Sequence, residues 1–235
     1  MKKKAKTKIN NAALFLLVVF LFSFYSCQKD QNIKLINDLG YEYFPIKTGH
    51  YIIYDVDSVV INDFTSKTDT FQYQLLEILE SEFIDNENRT AQRIERYKRS
   101  DSISSWKIIN ICQSCRTEKR AEKVENNIKV VKLTFPVKDG LKWNGNAYNN
   151  KEAWTYFYKN LNLSQTINGF KFDSTISVIL KDEFNLIESK YYEEKYAKNV
   201  GLIYKKEEDI KTEINGKVKS GISYTQKIRE YGLKN

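Results

Sequence analysis

Turn-forming residue pairs separate long runs that are rich in β-branched and aromatic residues, and this pattern most constrains the fold. Asn168-Gly169 and Asn215-Gly216 each lie between two extended runs, and Asn126-Asn127 precedes the apolar run Ile128–Phe135. Asn-Gly between such runs is a strong signal of a β-hairpin, because both turn residues adopt positive φ. The spacing predicts a mainly β domain, an antiparallel meander sheet that forms a half-barrel or a sandwich.

Helical alternatives are few. Segments 187–197 and 116–126 are the best candidates, and the second has only Ala121 and Val124 as apolar residues, too few to dock a helix. Segment 70–83 reads as a strand, although its Leu-Leu-Glu-Ile-Leu-Glu core is also compatible with a helix. We therefore expect at most one or two short helices, with an α+β fold as the alternative.

The N-terminus carries an export signal. Five lysines among the first eight residues precede the apolar run 12–24, and Cys27 follows. A basic segment, an apolar run too short to span a bilayer and a small residue at the cleavage site are typical of a removable signal peptide. Phe24-Tyr25-Ser26-Cys27 resembles a bacterial lipobox. The sequence thus predicts a signal peptide at 1–26, a lipidated flexible tether at 27–39 attached through a palmitate-type acyl group on Cys27, and one β-rich domain at 40–235.

The overall charge is mostly a property of the signal peptide. The chain has 38 Lys+Arg and 30 Asp+Glu, and removal of the five N-terminal lysines leaves 33 against 30. This balance does not favour nucleic-acid binding, which needs clustered cations on one face. Arg89, Arg93, Arg96, Lys98 and Arg99 do cluster, but acids interrupt them, and we interpret them as a solvated strand face.

Several blocks resemble one family. They are Tyr43–Gly49, Lys132–Pro136, Trp143–Asn146 and Tyr196–Ile203, and together they resemble uncharacterised outer-membrane lipoproteins of Bacteroidota. The resemblance implies an exported, lipid-anchored β domain on the periplasmic face of the outer membrane or on the cell surface. It implies no activity and no catalytic residue.

Cys112-Gln113-Ser114-Cys115 is the sharpest local motif. A Cys-x-x-Cys pair outside the cytoplasm can be a disulfide oxidoreductase site, a structural disulfide in a local turn, or two free thiols. In a continuous strand the two Cα atoms would lie ~10 Å apart, beyond the reach of a disulfide. One pair with no further cysteine or histidine cluster does not favour zinc, so we expect no metal site.

The scarcity of histidine argues against most enzymes. His50 is the only histidine of the chain, so a Ser-His-Asp or Cys-His nucleophile system must use it. We expect a turn or strand-edge role for His50, no catalytic residue and no cofactor.

An aromatic and amide-rich segment is a candidate binding patch. Exposed aromatic rings with asparagine side chains can hold sugars or peptides, although packing in a core is an equally natural role. The candidate residues are Trp143, Asn144, Asn146, Tyr148 and Trp154.

The sequence therefore predicts a lipid-anchored envelope protein that binds or scaffolds and does not catalyse. Besides the membrane, the expected partner is another envelope protein, a glycan or an apolar ligand held in a curled sheet. The alternative is a periplasmic thiol-disulfide redox protein that uses Cys112 and Cys115.

Overall fold

The computed structural model describes residues 38–65 and 67–234, which belong to one compact unit. A single 3-10 turn, Tyr41–Tyr43, precedes the strands in this part of the chain. The strands are β1 (His50–Ile61), β2 (Thr68–Ile84), β3 (Thr90–Arg99), β4 (Lys107–Arg116), β5 (Arg120–Glu125), β6 (Ile128–Thr134), β7 (Lys142–Asn144), β8 (Thr155–Ile167), β9 (Phe170–Phe184), β10 (Glu188–Ala197), β11 (Gly201–Thr212) and β12 (Val218–Leu233).

All twelve strands form one sheet in the order β6-β5-β4-β3-β2-β1-β12-β11-β10-β9-β8-β7. Every neighbouring pair is antiparallel, and all pairs except β1 with β12 are consecutive in the chain. The predicted mainly β, antiparallel meander is confirmed, and it curls into a nearly closed, barrel-like sheet.

The two end strands of the sheet, β6 and β7, meet along a line that we call the seam. The backbone N–H of Val131 donates to the carbonyl of Gly145 at 2.8 Å, and the indole N–H of Trp143 donates to the carbonyl of Val131 at 3.0 Å. The hydroxyl of Tyr158 donates to the carbonyl of Thr134 and accepts from its N–H, both at 2.8 Å. Side chains thus replace a strand partner along much of the β6 edge.

Gly145 permits this close approach. A Cβ at this position would lie 2.3 Å from the ring of Tyr156, a distance that no side chain tolerates. The glycine therefore lets the chain after β7 run directly over an aromatic ring of β8.

Asparagine shapes the turns. Asn126 and Asn127 both have positive φ between β5 and β6, as do Asn168 and Gly169 between β8 and β9, so these two predicted hairpins are confirmed. The third hairpin also exists, but only Gly216 of its pair has positive φ, because its turn is longer: the N–H of Glu213 donates to the carbonyl of Lys217.

The β8–β9 hairpin reaches its distant neighbours through its tip. Asn160 and Asn162 have positive φ where the β8–β9 register shifts. At the tip, the amide of Asn168 donates to the carbonyl of Ile228 at 2.9 Å, and the ring of Phe172 lies 6.2 Å from that of Tyr231. The hairpin thereby contacts β12 as well as its own sheet neighbours.

One buried cluster, which we call the aromatic core, combines three buried strand tyrosines with aliphatic residues. Its members are Tyr43, Ala121, Leu133, Phe135, Val137, Tyr156, Tyr158, Ile176, Val178, Leu180 and Tyr196. Alternation of apolar and polar residues explains the cluster, since Ile176, Val178 and Leu180 share one face of β9.

Neither of the two candidate helices forms, which agrees with the expectation of at most one or two short helices. Segment 187–197 coincides with β10, whose residues pair with β9 and β11, and segment 116–126 is largely β5. Charged residues of both segments pair across strands instead of along a helix, as in the ion pairs of Lys123 with Glu77 and of Glu194 with Lys132. Segment 70–83 lies in β2, a strand as predicted.

The N-terminal boundary differs slightly from expectation. Cys27, the signal peptide and most of the predicted tether lie outside the described residues. Asp38 and Leu39, which the prediction placed in the tether, contact the folded unit: Asp38 forms an ion pair with Lys198, and the carbonyl of Leu39 accepts from the N–H of Val137 at 3.0 Å.

Within 38–65 and 67–234, no helix is both long and apolar enough to cross a bilayer.

Candidate ligand cavity

A partly enclosed cavity of about 130 Å³ lies between residues that nine different strands supply. One side, which we call the apolar wall, consists of Phe44, Ile52, Leu79, Ile94, Val200 and Leu202. The charged residues of the lining form a second group, which we call the charged wall. They are Glu77, Arg96, Lys123, Glu125, Lys132, Glu194 and Lys205. An apolar surface beside a few convergent polar groups is the usual composition of a small-molecule site.

Glu77 on β2 is the centre of the first half of the charged wall. Its carboxylate accepts from the guanidinium of Arg96 at 2.6 Å and from the ammonium of Lys123 at 2.8 Å. Arg96 also binds both carboxylate oxygens of Glu125. Because β2 and β5 are not sheet neighbours, the contact between Glu77 and Lys123 crosses the concave side of the sheet.

Lys132 and Glu194 form the second half. Lys132 lies on β6 and donates to Glu194 on β10, which are far apart in the strand order, so the pair spans the interior. The other oxygen of Glu194 accepts from the hydroxyl of Tyr196. Lys205 lies nearby and pairs with Glu207 at 2.7 Å.

The surroundings shift the ionisation of these groups. Burial raises the pKa of Glu77, but Lys123 and Arg96 outweigh burial, and the net pKa lies well below the ordinary value. The pKa of Glu194 is also lowered, since Lys132 and Lys205 outweigh its burial. Burial lowers the pKa of Lys132; Glu194 opposes this effect, and Lys205 and Lys123 reinforce it.

His50 lies at the apolar end of the cavity. Its Nε2 is 2.8 Å from the carbonyl oxygen of Val200, and since a carbonyl only accepts, Nε2 carries the proton. Burial lowers the pKa of this imidazole. The histidine lies at the start of β1, as predicted, and fixes the β10–β11 turn against that strand.

The cysteine pair lies in an uninterrupted strand. Cys112 and Cys115 are both buried free thiols on β4, so the disulfide that the sequence allowed is not formed. Cys112 packs against Leu79 and Ile94, and the thiol of Cys115 donates to the carbonyl of Thr90 at 3.4 Å. Burial raises the pKa of both thiols, which disfavours the thiolate needed for redox exchange.

The predicted aromatic and amide patch is brought together at the seam, but its groups mostly bind each other. The side-chain oxygen of Asn144 accepts from the N–H groups of Asn146 and Trp154, and the amide of Asn146 donates to the carbonyl of Glu152 at 2.6 Å.

Its aromatic members differ in exposure. Trp143 packs at 4.6 Å from the ring of Tyr158, and Trp154 packs at 5.4 Å from Tyr192. Tyr148 is 51% exposed, with the guanidinium of Arg120 4.3 Å from its ring. Most of the patch therefore organises the loop that closes the sheet, and Tyr148 is the member left open to solvent.

The basic cluster is not one solvated face, contrary to the interpretation from sequence. Arg96 points into the charged wall, and the side chain of Arg89 is only 19% exposed in ion pairs with Asp85 and Glu122. Arg93 is more open, and it pairs with Glu80 at 2.9 Å. Arg93 and Arg96 are three residues apart on β3, so their side chains point to opposite sides of the sheet.

Sequence reasoning missed the charged wall. The local signal is ambiguous: Glu77 shares a strand face with Leu75 and Leu79, but Leu76 and Ile78 make the other face apolar too, and only the structure shows that Leu75 and Leu79 are buried. A charged residue between two buried apolar residues of the same strand face must itself point inward. The partners across the interior could not be identified this way, because no local pattern relates β2 to β5 or β6 to β10.

Comparison with known proteins adds little. No protein-family model and no curated protein matches this chain. A crystal structure from Bacteroides fragilis, described as a candidate exported protein with a YmcC-like fold, aligns with 80% of this chain and 98% of its own. The sequence identity is 10% and the TM-score is 0.36, a likeness too low to support an inference about function.

Proposed function

We propose that this protein is a non-catalytic binding module of the cell envelope, anchored by lipid at Cys27, and that the interior cavity holds its ligand. The observation that carries this proposal is the pairing of an apolar wall with a charged wall around one cavity. Filling the interior with aliphatic side chains would be the simpler way to stabilise a sheet, since ion pairs in such places contribute little net stability.

The charged wall supports binding because its groups are held in place before any ligand arrives. Arg96 is fixed by two carboxylates, and Glu194 by Lys132 and Tyr196. Groups that are already ordered lose little conformational freedom when a ligand binds.

A small ligand accounts for more of the structure than a glycan or a partner protein does. The amide groups that would contact a glycan, those of Asn144 and Asn146, bond within their own loop. The redox alternative has no support from the cysteine positions, since both thiols are buried on a strand and their pKa values are raised.

A cavity-filling variant tests the proposal. Ile94 on the apolar wall is 4% exposed, whereas Ile109 is 51% exposed on the neighbouring strand, so Ile94→Phe and Ile109→Phe form a matched pair. Native mass spectrometry of the protein from its own membranes should detect a bound small molecule on the wild type and on Ile109→Phe, but not on Ile94→Phe.

Thermal unfolding would verify that both variants fold. A wild-type protein that carries no added mass, or an Ile94→Phe protein that retains it, would contradict the cavity as the ligand site.

The anchor needs a separate test. Metabolic labelling with palmitate should mark the wild type and not Cys27→Ser. An unlabelled wild type would remove the membrane attachment from the proposal and leave the cavity argument unchanged.

A further inference from the structure

We infer that the cavity takes a small amphipathic anion, whose carboxylate-like group binds Lys132 and Lys205 and whose short apolar body lies against Ile94 and Leu79. This inference rests on the proposed function and names the class of its ligand. It follows from the hydrogen-bond inventory of the charged wall and from the size of the cavity.

Every carboxylate oxygen of the charged wall already has a hydrogen-bond donor. Both oxygens of Glu77, Glu125 and Glu194 already accept from a cation or a hydroxyl. A cationic ligand would therefore compete with Arg96, Lys123 or Lys132 for a carboxylate that is already paired.

The lysines, in contrast, have donors to spare. An ammonium has three N–H groups. Among the described residues, Lys132 has Glu194 as its ion-pair partner and Lys205 has Glu207, which is not part of the cavity lining. Four cations and three carboxylates line the cavity. Glu207 balances the charge of Lys205 from outside the lining, so the surplus within the cavity is one of N–H donors, which an anionic acceptor satisfies.

The size of the cavity limits the ligand. A cavity of about 150 Å³ accommodates a benzene ring, and this one measures about 130 Å³. The buried part of the ligand therefore has roughly five or six non-hydrogen atoms, which fits most of a short carboxylic acid and not a full-length acyl chain.

Three probes of one shape separate charge from apolarity. Hexanoate is the anion, hexanamide its neutral isostere and hexylammonium its cationic counterpart. Calorimetric titration of the mature lipoprotein in phospholipid nanodiscs, with empty nanodiscs as the blank, should detect hexanoate at millimolar concentrations. Hexanamide should bind at least about tenfold more weakly, since it lacks charge-assisted hydrogen bonds, and hexylammonium should not bind.

Lysine variants locate the anion. Lys205→Met should weaken hexanoate at least about tenfold, and Lys159→Met, an exposed lysine on β8, should leave its affinity unchanged. Lys132→Met leaves Glu194 without its cation, so the double variant Lys132→Met/Glu194→Gln, which keeps the net charge, is the better test of that position and should also lose binding.

The outcomes distinguish this inference from the proposal on which it rests. If hexanamide and hexanoate bind equally and Ile94→Phe abolishes both, the inference of an anionic ligand is wrong, and the cavity remains the ligand site. The inference of an anionic ligand would also be wrong if the wild type preferred hexylammonium or did not bind hexanoate. Unchanged binding of hexanoate to Lys205→Met would have the same meaning. Hexanoate binding that survives Ile94→Phe would reject both.

Discussion

The aromatic core and the charged wall line the same curled sheet, yet they are built in opposite ways. The core fills its volume with tyrosine and aliphatic side chains, and residues such as Ile176 and Val178 are 0% exposed. The charged wall surrounds a void, and three of its ion pairs join strands that are not neighbours: Glu77 with Lys123, Arg96 with Glu125, and Lys132 with Glu194. Close packing is the default state of a protein interior, and the departure from it at the charged wall is the basis of the ligand proposal.

The comparison predicts that the core carries most of the stability. Ile176→Ala should lower the free energy of unfolding by about 3–4 kcal/mol, through lost burial and the cavity left behind. Ile214 is 88% exposed, and Ile214→Ala should change the free energy by less than about 0.5 kcal/mol. Urea denaturation measures both, and equal effects would mean that the core is not the stabilising region.

Disrupting the ion pairs of the charged wall should lower the free energy of unfolding by less than Ile176→Ala does. In Glu77→Gln, Arg96 and Lys123 lose their shared anion, and we expect a loss of about 2 kcal/mol because these side chains keep some exposure. Glu80→Gln on the same strand is a matched control, since Glu80 is more exposed, and it should have little effect. A larger loss in Glu77→Gln than in Ile176→Ala would reverse the proposed ranking.

Acidity gives a second test of the charged wall. The pKa of Glu77 is depressed in the folded protein from an ordinary value near 4.5, so its ion pairs contribute fully above that pH. The contribution is lost as the pH falls from about 4.5 toward the folded pKa.

The difference in unfolding free energy between wild type and Glu77→Gln should therefore be constant near neutrality and shrink below about pH 4.5. Urea titrations at several pH values measure it. A difference that is independent of pH would show that the Glu77 ion pairs do not contribute.

A substitution at the seam should lower the free energy of unfolding by less than Glu77→Gln does. Tyr158→Phe removes the hydroxyl that serves both the N–H and the carbonyl of Thr134, and we expect a loss of about 1.5 kcal/mol. Hydrogen exchange at Thr134 should accelerate by more than at strands in the centre of the sheet. Tyr148→Phe is the control, because Tyr148 is half exposed. Unchanged exchange at Thr134 would show that the hydroxyl does not hold the seam.

The smallest effect is expected at the cysteines. Treatment with an oxidant should leave the unfolding free energy within about 0.5 kcal/mol of the reduced protein, since a disulfide that formed would typically change it by about 2–4 kcal/mol. Mass spectrometry should find both Cys112 and Cys115 free. A reversible disulfide between them in the folded protein would restore the redox alternative.

Local chemistry explains what could be predicted. The strands and the hairpins at Asn126-Asn127 and Asn168-Gly169 follow from side-chain alternation and from residues that tolerate positive φ. The helix candidate at 187–197 is a strand, because Tyr192 packs against Trp154 and Tyr196 lies in the aromatic core, and this packing outweighs helix propensity.

The interior could not be predicted in the same way. A strand with a charged residue at every second position has the same period whether that face meets water or a lined cavity. Arg96 illustrates the point, because its partners Glu77 and Glu125 come from two other strands. The role of Trp143 also depends on the closure of the sheet, since the carbonyl it binds belongs to Val131 at the opposite end of the strand order.

The hydroxyl of Tyr158 and the indole of Trp143 have a consequence for how copies of this protein meet. A strand at the edge of a sheet with unpaired backbone groups can form hydrogen bonds with a strand of another molecule, which leads to aggregation. At Thr134 and Val131 those backbone groups are already occupied from within the same molecule. At these two residues the border therefore offers no free backbone group to the strand of a second copy.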